Sequence, residues 1–332
     1  MGCFPENERI PLKLIIQIPC HNEAKTLPET LRDLPRSIPG IESIEILVID
    51  DGSTDGTPDI ARNLGVHHVL SLGQNKGLAK TFSEGLDQCL KLGADFVVNT
   101  DADNQYVGAD IPKLLQPILE GRAEVVIGTR PFRQNPEFSW LKKKTIEYGS
   151  LLVSRLSRIQ VEDAVSGFRA YSREAAMRLN TLTNFSYTLD NLIQLGHQRV
   201  NVATVPIRTN PKLRQSRLFK NPFVFLFRQC SSLIRVYCTY RGPAVFTRIS
   251  LIVMAPGIFG CLRFLYLYVT ESGRGHVQSL ILSATLIIVG FLMLLLGMLA
   301  EMVSNNRKLL EVLLFKMKKL ELDSRNQKPS QG

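Results

Sequence analysis

Two long apolar runs near the carboxyl end limit the folds open to this chain more than any other feature. They cover residues 249–269 and 277–303, and as helices both could cross a hydrocarbon core of about 30 Å. Leu280 to Leu299 contains no charged residue, which a helix in the core of a soluble protein would rarely show. Arg263 interrupts the first run, but its long side chain can reach the headgroups. The sequence therefore predicts a two-helix transmembrane hairpin.

Basic residues are concentrated in the same part of the chain. Residues 1–198 carry 21 Lys and Arg against 25 Asp and Glu, whereas residues 199–332 carry 19 against 5. Nine of these cations fall between Arg208 and Arg248. Because no nucleic-acid-reading module accompanies them, we expect membrane lipids with anionic headgroups as the partner, and no nucleic acid.

The positions of the basic residues predict how the chain is oriented in the membrane. Nine lie between Arg208 and Arg248, before the first run, and five lie between Arg307 and Lys319, after the second, against Arg274 alone between the runs. The positive-inside rule then predicts an integral membrane protein with two spans, with its N-terminal domain and its C-terminus in the cytoplasm.

Residues 211–248 and the tail 304–332 mix apolar and basic side chains. This pattern is typical of amphipathic helices in the membrane interface, and a partner helix in a homo-oligomer would show the same pattern.

Residues 1–210 have the pattern of an α/β domain in which strands end in polar residues. Leu14 to Pro19 precedes Cys-His-Asn-Glu, Ile46 to Ile49 precedes Asp-Asp-Gly-Ser, and further strands are predicted over 123–129 and 200–207. Parallel strands with polar carboxyl ends form the ligand crevice of open α/β sheets. Asp, Asn, Ser and Gly are also ordinary turn residues, so each motif alone is also compatible with a simple turn.

An acidic pair follows the apolar run that begins at Phe96. Asp101 and Asp103 project to the same side where this strand ends. Two carboxylates at this spacing suit a divalent cation that keeps positions open for the phosphates of a nucleotide. Residues 74–80 are predicted to begin a helix, and the free N–H groups at its start would favour a phosphate.

In this order the motifs resemble those of family 2 glycosyltransferases with a Rossmann-like GT-A fold, in particular the branch of polyprenyl-phosphate synthases such as dolichol-phosphate mannose or glucose synthases. The matching segments are Ile18–Glu23, Val48–Asp55, Asn75–Gly77, Asp101–Gln105, Ile127–Arg130 and Asp163–Arg169. Two segments depart from that pattern: His21 replaces a frequent Tyr, and Asn104–Val107 replaces Leu-Gln-His-Pro.

The resemblance implies most of the site. It places Pro19, Glu23 and Asp50 in the base and ribose pocket, and Asp101, Asp103 and Gln105 around Mg²⁺ or Mn²⁺. The nucleotide site is completed by residues of the same motifs, namely Asn22, Asp51, Lys76 and Gly77. It also implies that Asp163 lies near the acceptor, as a general base or an orienting group, although a helix cap or an ion pair with Arg169 would be the structural alternative.

An acceptor phosphate requires cations, and arginine suits phosphate oxygens through its planar fork. Arg130 follows a predicted strand, and Arg214, Ser216 and Arg217 follow another. These four residues are the predicted phosphate contacts. Arg169 is expected to be either a further contact or the internal partner of a carboxylate.

These features predict an inverting, metal-dependent hexosyltransferase that uses a UDP- or GDP-linked nucleotide sugar as donor and polyprenyl phosphate as acceptor. A transferase to a lipid hydroxyl is the alternative, and it would need a true base at Asp163. A non-catalytic nucleotide-sugar-binding scaffold has no need of the open metal site at Asp101 and Asp103. A nucleotidyltransferase would be expected to carry a glycine-rich phosphate loop, which residues 19–23 are not.

Overall fold

A computed structural model describes residues 11–131, 140–179, 187–211, 222–271 and 277–326. The chain divides into two compact units, which are described separately. One comprises residues up to Leu226 together with those from Phe315 onward, and the other comprises residues 227–314.

The first unit is built on a seven-stranded sheet. Its strands are β1 (Lys13–Cys20), β2 (Ser43–Asp50), β3 (His68–Ser71), β4 (Phe96–Asn99), β5 (Val125–Thr129), β6 (Arg169–Ser172) and β7 (Val202–Pro206). Their order is β3-β2-β1-β4-β6-β5-β7. Strand β6 pairs antiparallel with β4 and β5, whereas the other pairings are parallel.

Helices cover both faces of this sheet. They are α1 (Leu27–Asp33), α2 (Thr57–Asn63), α3 (Leu78–Lys91), α4 (Ile111–Leu119), α5 (Trp140–Ser157), α6 (Arg173–Arg178) and α7 (Tyr187–His197). Strand β1 shows why two cores form, because successive side chains point to opposite faces. Its Leu14, Ile16 and Ile18 pack in one core with residues of α1 and α4. Ile15 packs in the other core with residues of α3 and α6.

The predicted α/β class is confirmed, with differences in detail. The strands predicted over 123–129 and 200–207 are shorter, as β5 and β7. Strands β3 and β6 were not predicted, since both have only four residues and short segments give weak periodicity. Strand β6 matters for the site, because an antiparallel strand brings its amino end to the edge where the neighbouring strands end.

Two helices of 50 residues each follow, α8 (Pro222–Glu271) and α9 (Val277–Asn326). Pro222 begins α8, as predicted from its fixed φ. Each helix is about 75 Å long at 1.5 Å per residue. Each is also long and apolar enough, within Ala244–Thr270 and Val277–Ser324, to cross a membrane. Of the segments predicted to flank the spans as interfacial helices, the described residues 222–248 and 304–326 are helical and continuous with α8 and α9, and their placement in the membrane interface stays a prediction.

Within the second unit, small residues allow α8 and α9 to approach closely. The Ser250 hydroxyl donates a hydrogen bond to the Gly290 carbonyl (2.8 Å), and a Cβ on Gly257 would lie 2.8 Å from the Ser283 carbonyl oxygen. Such contacts are typical of helix pairs in lipid. Large apolar side chains face outward, including Val269, which is 77% exposed. An apolar surface of this extent is suited to lipid contact.

The end of α9 belongs to the first unit. Leu322 is buried in the core beside α3 and α6, and Phe315 packs at its edge. Lys318 forms an ion pair with Asp87 of α3 (2.9 Å), and the Arg178 guanidinium lies over the Phe315 ring (5.6 Å). The C-terminal segment is therefore packed on the α/β domain. The two surroundings predicted for this tail, a membrane interface and an oligomer partner, stay predictions for its exposed side chains, such as Leu320 at 69% exposure.

Candidate functional site

Six chain segments meet at one edge of the sheet. Strands β1, β2, β4, β5 and β7 end there, and the segment before β6 enters there because β6 is antiparallel. The edge therefore brings together most of the residues that the sequence singled out, from Pro19 near the end of β1 to Asp163 before β6. Arg214, Ser216 and Arg217 lie outside the described residues.

The loops after β1 and β2 are bonded to each other. The Asn22 N–H donates to the Ser53 hydroxyl (2.9 Å), and the Asn22 carboxamide oxygen accepts from the Thr54 N–H (2.8 Å). Asn22 has a positive φ of 57°, which asparagine tolerates better than most residues. The Ser53 N–H in turn donates to the Asp50 carboxylate (3.0 Å). Asn22 thus holds two loops of the predicted nucleotide pocket together.

Glu23 and Pro19 are less accessible than a direct ligand role suggests. Pro19 is buried within β1, and Glu23 is 8% exposed. The Glu23 carboxylate accepts a hydrogen bond from the Thr26 hydroxyl (2.8 Å), and its N–H donates to the Thr57 hydroxyl (2.9 Å). These contacts fix the backbone that borders the pocket.

Asp51 joins the loop after β2 to the segment that precedes α3. Its carboxylate accepts hydrogen bonds from the N–H groups of Lys76 (2.7 Å) and Gly77 (3.0 Å), at the start of α3. A Cβ on Gly52, which has a φ of 69°, would lie 2.7 Å from the Gln74 backbone, so the two loops are in close contact. These two N–H groups, which precede the first turn of α3, are therefore engaged within the protein, and the phosphate contact predicted for the start of this helix stays a prediction. The Lys76 side chain remains exposed.

The acidic pair lies directly after β4. Burial, together with the negative charges of Asp103 and Glu23, raises the pKa of Asp101 to about 7, and Arg130 opposes this rise. A divalent cation would relieve the repulsion, and two hard carboxylate oxygens are suitable ligands for Mg²⁺ or Mn²⁺. Among the described residues no three His, Cys, Asp or Glu side chains converge into a complete metal site. The pair fits a cation that takes its remaining ligands from substrate and solvent.

The loop that carries this pair is held by the chain after β7. The Asn210 N–H donates to the Gln105 carbonyl (2.9 Å), and the Asn210 side-chain amide donates to the Asn104 carbonyl (3.1 Å). Asp103 accepts a hydrogen bond from the Gln105 N–H (3.1 Å). The main chain of the predicted metal loop is therefore anchored on both sides of Gln105.

Arg130 and Asp163 form a bidentate ion pair. The guanidinium Nε and Nη2 lie 2.6 and 2.9 Å from the two carboxylate oxygens. The Asp163 side chain is fully buried, and that of Arg130 is 12% exposed. Although burial lowers the pKa of Arg130, the nearby Tyr106 and Asp163 raise it by more, so the guanidinium stays charged. The sequence predicted Arg130 as a cation for the acceptor phosphate and Asp163 as a base or orienting group. In the structure the two side chains are paired with each other.

Arg169 is buried and bonded to the main chain. It is fully buried, and its guanidinium donates to the main-chain carbonyls of Ser166, Thr188 and Ala164 at 2.8–2.9 Å. Neither predicted role, contact with a substrate phosphate or pairing with a carboxylate, is consistent with these contacts. Arg169 instead fixes the backbone of the segment that carries Asp163.

Sequence reasoning missed a buried polar network beneath the site. The Gln17 amide donates to the Asn99 carboxamide oxygen (2.9 Å), and the Asn99 amide donates to the Gly167 carbonyl (2.8 Å) and to the Tyr187 hydroxyl (3.2 Å). A signal was available, because Gln17 and Asn99 are polar residues within apolar strands. They are paired partners in β1 and β4.

Most of the α/β domain is similar in sequence to known glycosyltransferases. Residues 15–179 match the model of "Glycosyl transferase family 2". A protein of Methanococcus voltae, named UDP-N-acetylglucosamine–dolichyl-phosphate N-acetylglucosaminyltransferase, is 30% identical over 217 residues, which are 58% of this chain and 83% of that protein. An undecaprenyl-phosphate mannosyltransferase of Micrococcus luteus is 29% identical over 206 residues, 59% of this chain and 83% of that protein.

Among solved structures, the fold is similar to that of glucosyl-3-phosphoglycerate synthase from Mycobacterium tuberculosis. The TM-score is 0.54 at 20% identity, and the match covers 68% of this chain and 79% of that one. That structure contains Mn²⁺ and UDP. At this identity the likeness supports the shared fold and carries no residue roles.

Proposed function

Because this chain belongs to glycosyl transferase family 2, we propose that it transfers a hexose from a UDP- or GDP-linked sugar to a polyprenyl phosphate at a membrane surface. Mg²⁺ or Mn²⁺ at Asp101 and Asp103 is part of the proposal. Both relatives described above are named for transfer to a polyprenyl or dolichyl phosphate, although they carry different sugars. The acceptor class is therefore better supported than the sugar.

The ion pair between Arg130 and Asp163 is the observation that best supports a phosphate as the acceptor group. A hydroxyl acceptor needs a base to remove its proton, whereas a phosphate monoester has a second pKa near 6 and is already an anion at neutral pH. Asp163 is fully buried and both of its oxygens are engaged by Arg130. This arrangement supports an orienting role for Asp163, which holds a cation at the crevice, over a role as a base.

The reaction follows from these parts. An oxygen of the acceptor phosphate attacks the anomeric carbon from the face opposite the nucleotide, so that a new C–O bond forms, the bond to the nucleoside diphosphate breaks, and the anomeric configuration inverts. The metal, when bound, neutralises charge that develops on the leaving diphosphate. Arg130 lies at the end of β5, where it can hold the incoming phosphate, and the loops around Asn22 and Asp50 border the donor.

The membrane part of the proposal rests on α8 and α9. We place both across the bilayer, with the catalytic domain and the C-terminus on the cytoplasmic face, because cations flank the two apolar helices on that side. The packing of Phe315 and Leu322 in the same unit as the catalytic domain supports this arrangement, since both must then lie on one side.

Sugar transfer is the test. Membranes that contain the full chain should convert one radiolabelled nucleotide sugar to an acid-labile lipid product when polyprenyl phosphate is added, and polyprenol of the same length should not be an acceptor. EDTA and Asp103→Asn should each abolish the product, and Mn²⁺ should restore the chelated wild type. Asp59→Asn, which changes an exposed aspartate on α2, is the matched control and should keep full activity.

Two outcomes would contradict the proposal at different points. Equal use of polyprenol together with complete loss of activity in Asp163→Asn would favour the hydroxyl acceptor. Full activity in EDTA would exclude the metal.

The orientation is tested by Ser272→Cys and Ser330→Cys, each introduced into a chain without its other cysteines. Only the thiol introduced by Ser272→Cys should react with an impermeant thiol reagent from outside intact cells, because it lies between the two spans. The reverse labelling pattern would refute the cytoplasmic placement.

A further inference from the structure

We infer that His21 is a positioning residue for the nucleotide-sugar donor: as a neutral imidazole it connects three loops that border the donor crevice, and its protonation in acid weakens donor binding. The inference rests on the proposed function, because it assumes that these loops hold the nucleotide. His21 lies in the segment Ile18–Glu23, at a position where the chain departs from the motif of the family it resembles. No role was assigned to it from the sequence.

The imidazole of His21 lies between loops that follow three different strands. Its Nδ1 atom is 2.9 Å from the Asp51 carbonyl oxygen, in the loop after β2. Its Nε2 atom is 3.2 Å from the side-chain amide nitrogen of Asn75, which lies between β3 and α3, and 3.4 Å from that of Asn22. The ring therefore connects the loop after β1 to the loops after β2 and β3.

The partner of Nδ1 determines which ring nitrogen carries the proton. A carbonyl oxygen only accepts hydrogen bonds, so Nδ1 must carry a hydrogen that it donates to Asp51. In the neutral ring Nε2 then has no hydrogen and is an acceptor. The hydrogen-bond network thus assigns His21 as the neutral tautomer with its proton on Nδ1.

The orientation of both amides that face Nε2 is fixed by other contacts. The Asn22 amide oxygen accepts a hydrogen bond from the Thr54 N–H (2.8 Å). The Asn75 amide oxygen accepts one from the Gly77 N–H (3.1 Å), which it shares with the Asp51 carboxylate. Turning either amide over would break its bond to the main chain. Both amides therefore present their NH₂ groups to Nε2, and Nε2 has to accept.

Protonation would remove this acceptor. Burial raises the pKa of the adjacent Cys20 thiol, so the thiol stays neutral. A proton on Nε2 would be attracted by the carboxylates of the three loops, but it would meet two amide donors at contact distance. The protonated ring would keep its bond to Asp51 and lose those to the amides. The charged side chains of these loops are Glu23, Asp50, Asp51, Asp55 and Lys76.

The consequence is a donor crevice that is less well held in acid. Histidine is the side chain that gains a proton between pH 8 and pH 5 in most proteins. A neutral hydrogen bond contributes a factor of about 2 to 13 to an equilibrium constant. Acidification should therefore weaken nucleotide binding through His21 by a factor in this range.

Nucleotide binding tests this role without relying on turnover. The full-length chain in detergent is titrated with UDP and with GDP in the presence of Mn²⁺, by calorimetry at pH 8 and at pH 6. The variant is His21→Gln, whose amide oxygen can replace Nε2 as an acceptor and does not titrate. The control is His67→Gln, because His67 lies just before the amino end of β3, away from the crevice, and accepts from the Ile46 N–H (3.2 Å).

The informative quantity is the dissociation constant of the wild type divided by that of His21→Gln at the same pH. Protonation of the metal ligands or of the nucleotide affects both proteins and cancels in this ratio. We expect the ratio to rise by about 2- to 13-fold from pH 8 to pH 6. The corresponding ratio for His67→Gln should not change.

His21→Phe is the second variant, and it removes both ring nitrogens. It should bind the nucleotide weakly at both pH values, and the melting temperature of each variant reports on the fold. A ratio of wild type to His21→Gln that does not change with pH, or wild-type affinity in His21→Phe, would overturn the role of His21 and leave the proposed function intact. Failure of the wild type to bind either nucleotide would instead overturn the proposed donor, and the inference with it.

Discussion

At the scale of single residues, Asp101 is a carboxylate whose charge depends strongly on its surroundings in the fold. Burial is the main cause of its raised pKa of about 7, and Asp103 adds to it. A carboxylate must be deprotonated to bind a metal, so protons and metal compete for it. Below pH 7 the Asp101 carboxyl group is mostly protonated, and above pH 7 it is mostly ionised and able to bind the metal.

This competition predicts a pH-dependent metal affinity. The ionised fraction of a group with a pKa of 7 rises about 10-fold from pH 6 to pH 8, and the Mn²⁺ dissociation constant should fall by about the same factor. Titrations by electron paramagnetic resonance at pH 6, 7 and 8 measure it. Asp101→Asn should bind weakly with a flatter profile. A wild-type affinity that does not change over this range would mean that Asp101 is ionised throughout.

At the scale of elements, the start of α3 depends on a side chain from another loop. Helix α3 has no side-chain cap of its own at Gly77, so its first N–H groups need acceptors from elsewhere. The Asp51 carboxylate accepts from the N–H groups of Lys76 and Gly77, the two residues directly before the first turn, and so fixes the position at which the helix begins. One residue therefore joins the loop after β2 to the helix that borders the crevice.

Asp51→Ala separates a structural role from a nucleotide-binding role. Hydrogen bonds to a charged group contribute about 1.5–3 kcal/mol, so we expect a lower melting temperature for Asp51→Ala, with Asp59→Ala on the surface of α2 close to wild type. Nucleotide affinity should fall only to the extent that the loop after β2 becomes less well held. An unchanged melting temperature together with a large loss of nucleotide affinity would show that Asp51 contacts the donor directly.

At the scale of the whole molecule, the chain returns to its catalytic domain after the apolar helices. The last part of α9 buries Leu322 beside α3 and α6, and Lys318 reaches Asp87, which is 231 residues away in the sequence. Helix α3 also follows the segment that Asp51 holds in place. The C-terminal segment is thus part of the structure that supports the site, and we expect its removal to destabilise that unit.

Two leucines on the same helix provide a matched test of this packing. Leu322 is 7% exposed and Leu320 is 69% exposed. Leu322→Asp places a charge in an apolar core and should cost at least about 2 kcal/mol, the lower end of the range for truncating a buried leucine. Leu320→Asp should have little effect. Thermal unfolding and limited proteolysis in detergent distinguish the variants, and equal behaviour would show that the tail is not packed on the domain in solution.

The sequence by itself determined the features that depend on neighbouring residues. Apolar runs that end in polar residues located the ends of β1, β2 and β4, and long apolar runs located the membrane-spanning parts of α8 and α9. The acidic pair at Asp101 and Asp103 was recognisable because two residues on one strand end share a side. These properties are local, since backbone geometry and side-chain periodicity are set over a few residues.

Only the tertiary structure decided which of these groups are already engaged with one another. Arg130 meets Asp163 across 33 positions of sequence, Asp51 takes the N–H groups that seemed open to a phosphate, and main-chain carbonyls surround Arg169. The antiparallel β6 creates two of these arrangements by bringing the segment after Asp163 to the edge of the sheet. Such partners are chosen by packing and burial between distant segments, because a buried charge or N–H group is stable only where the whole fold supplies its partner.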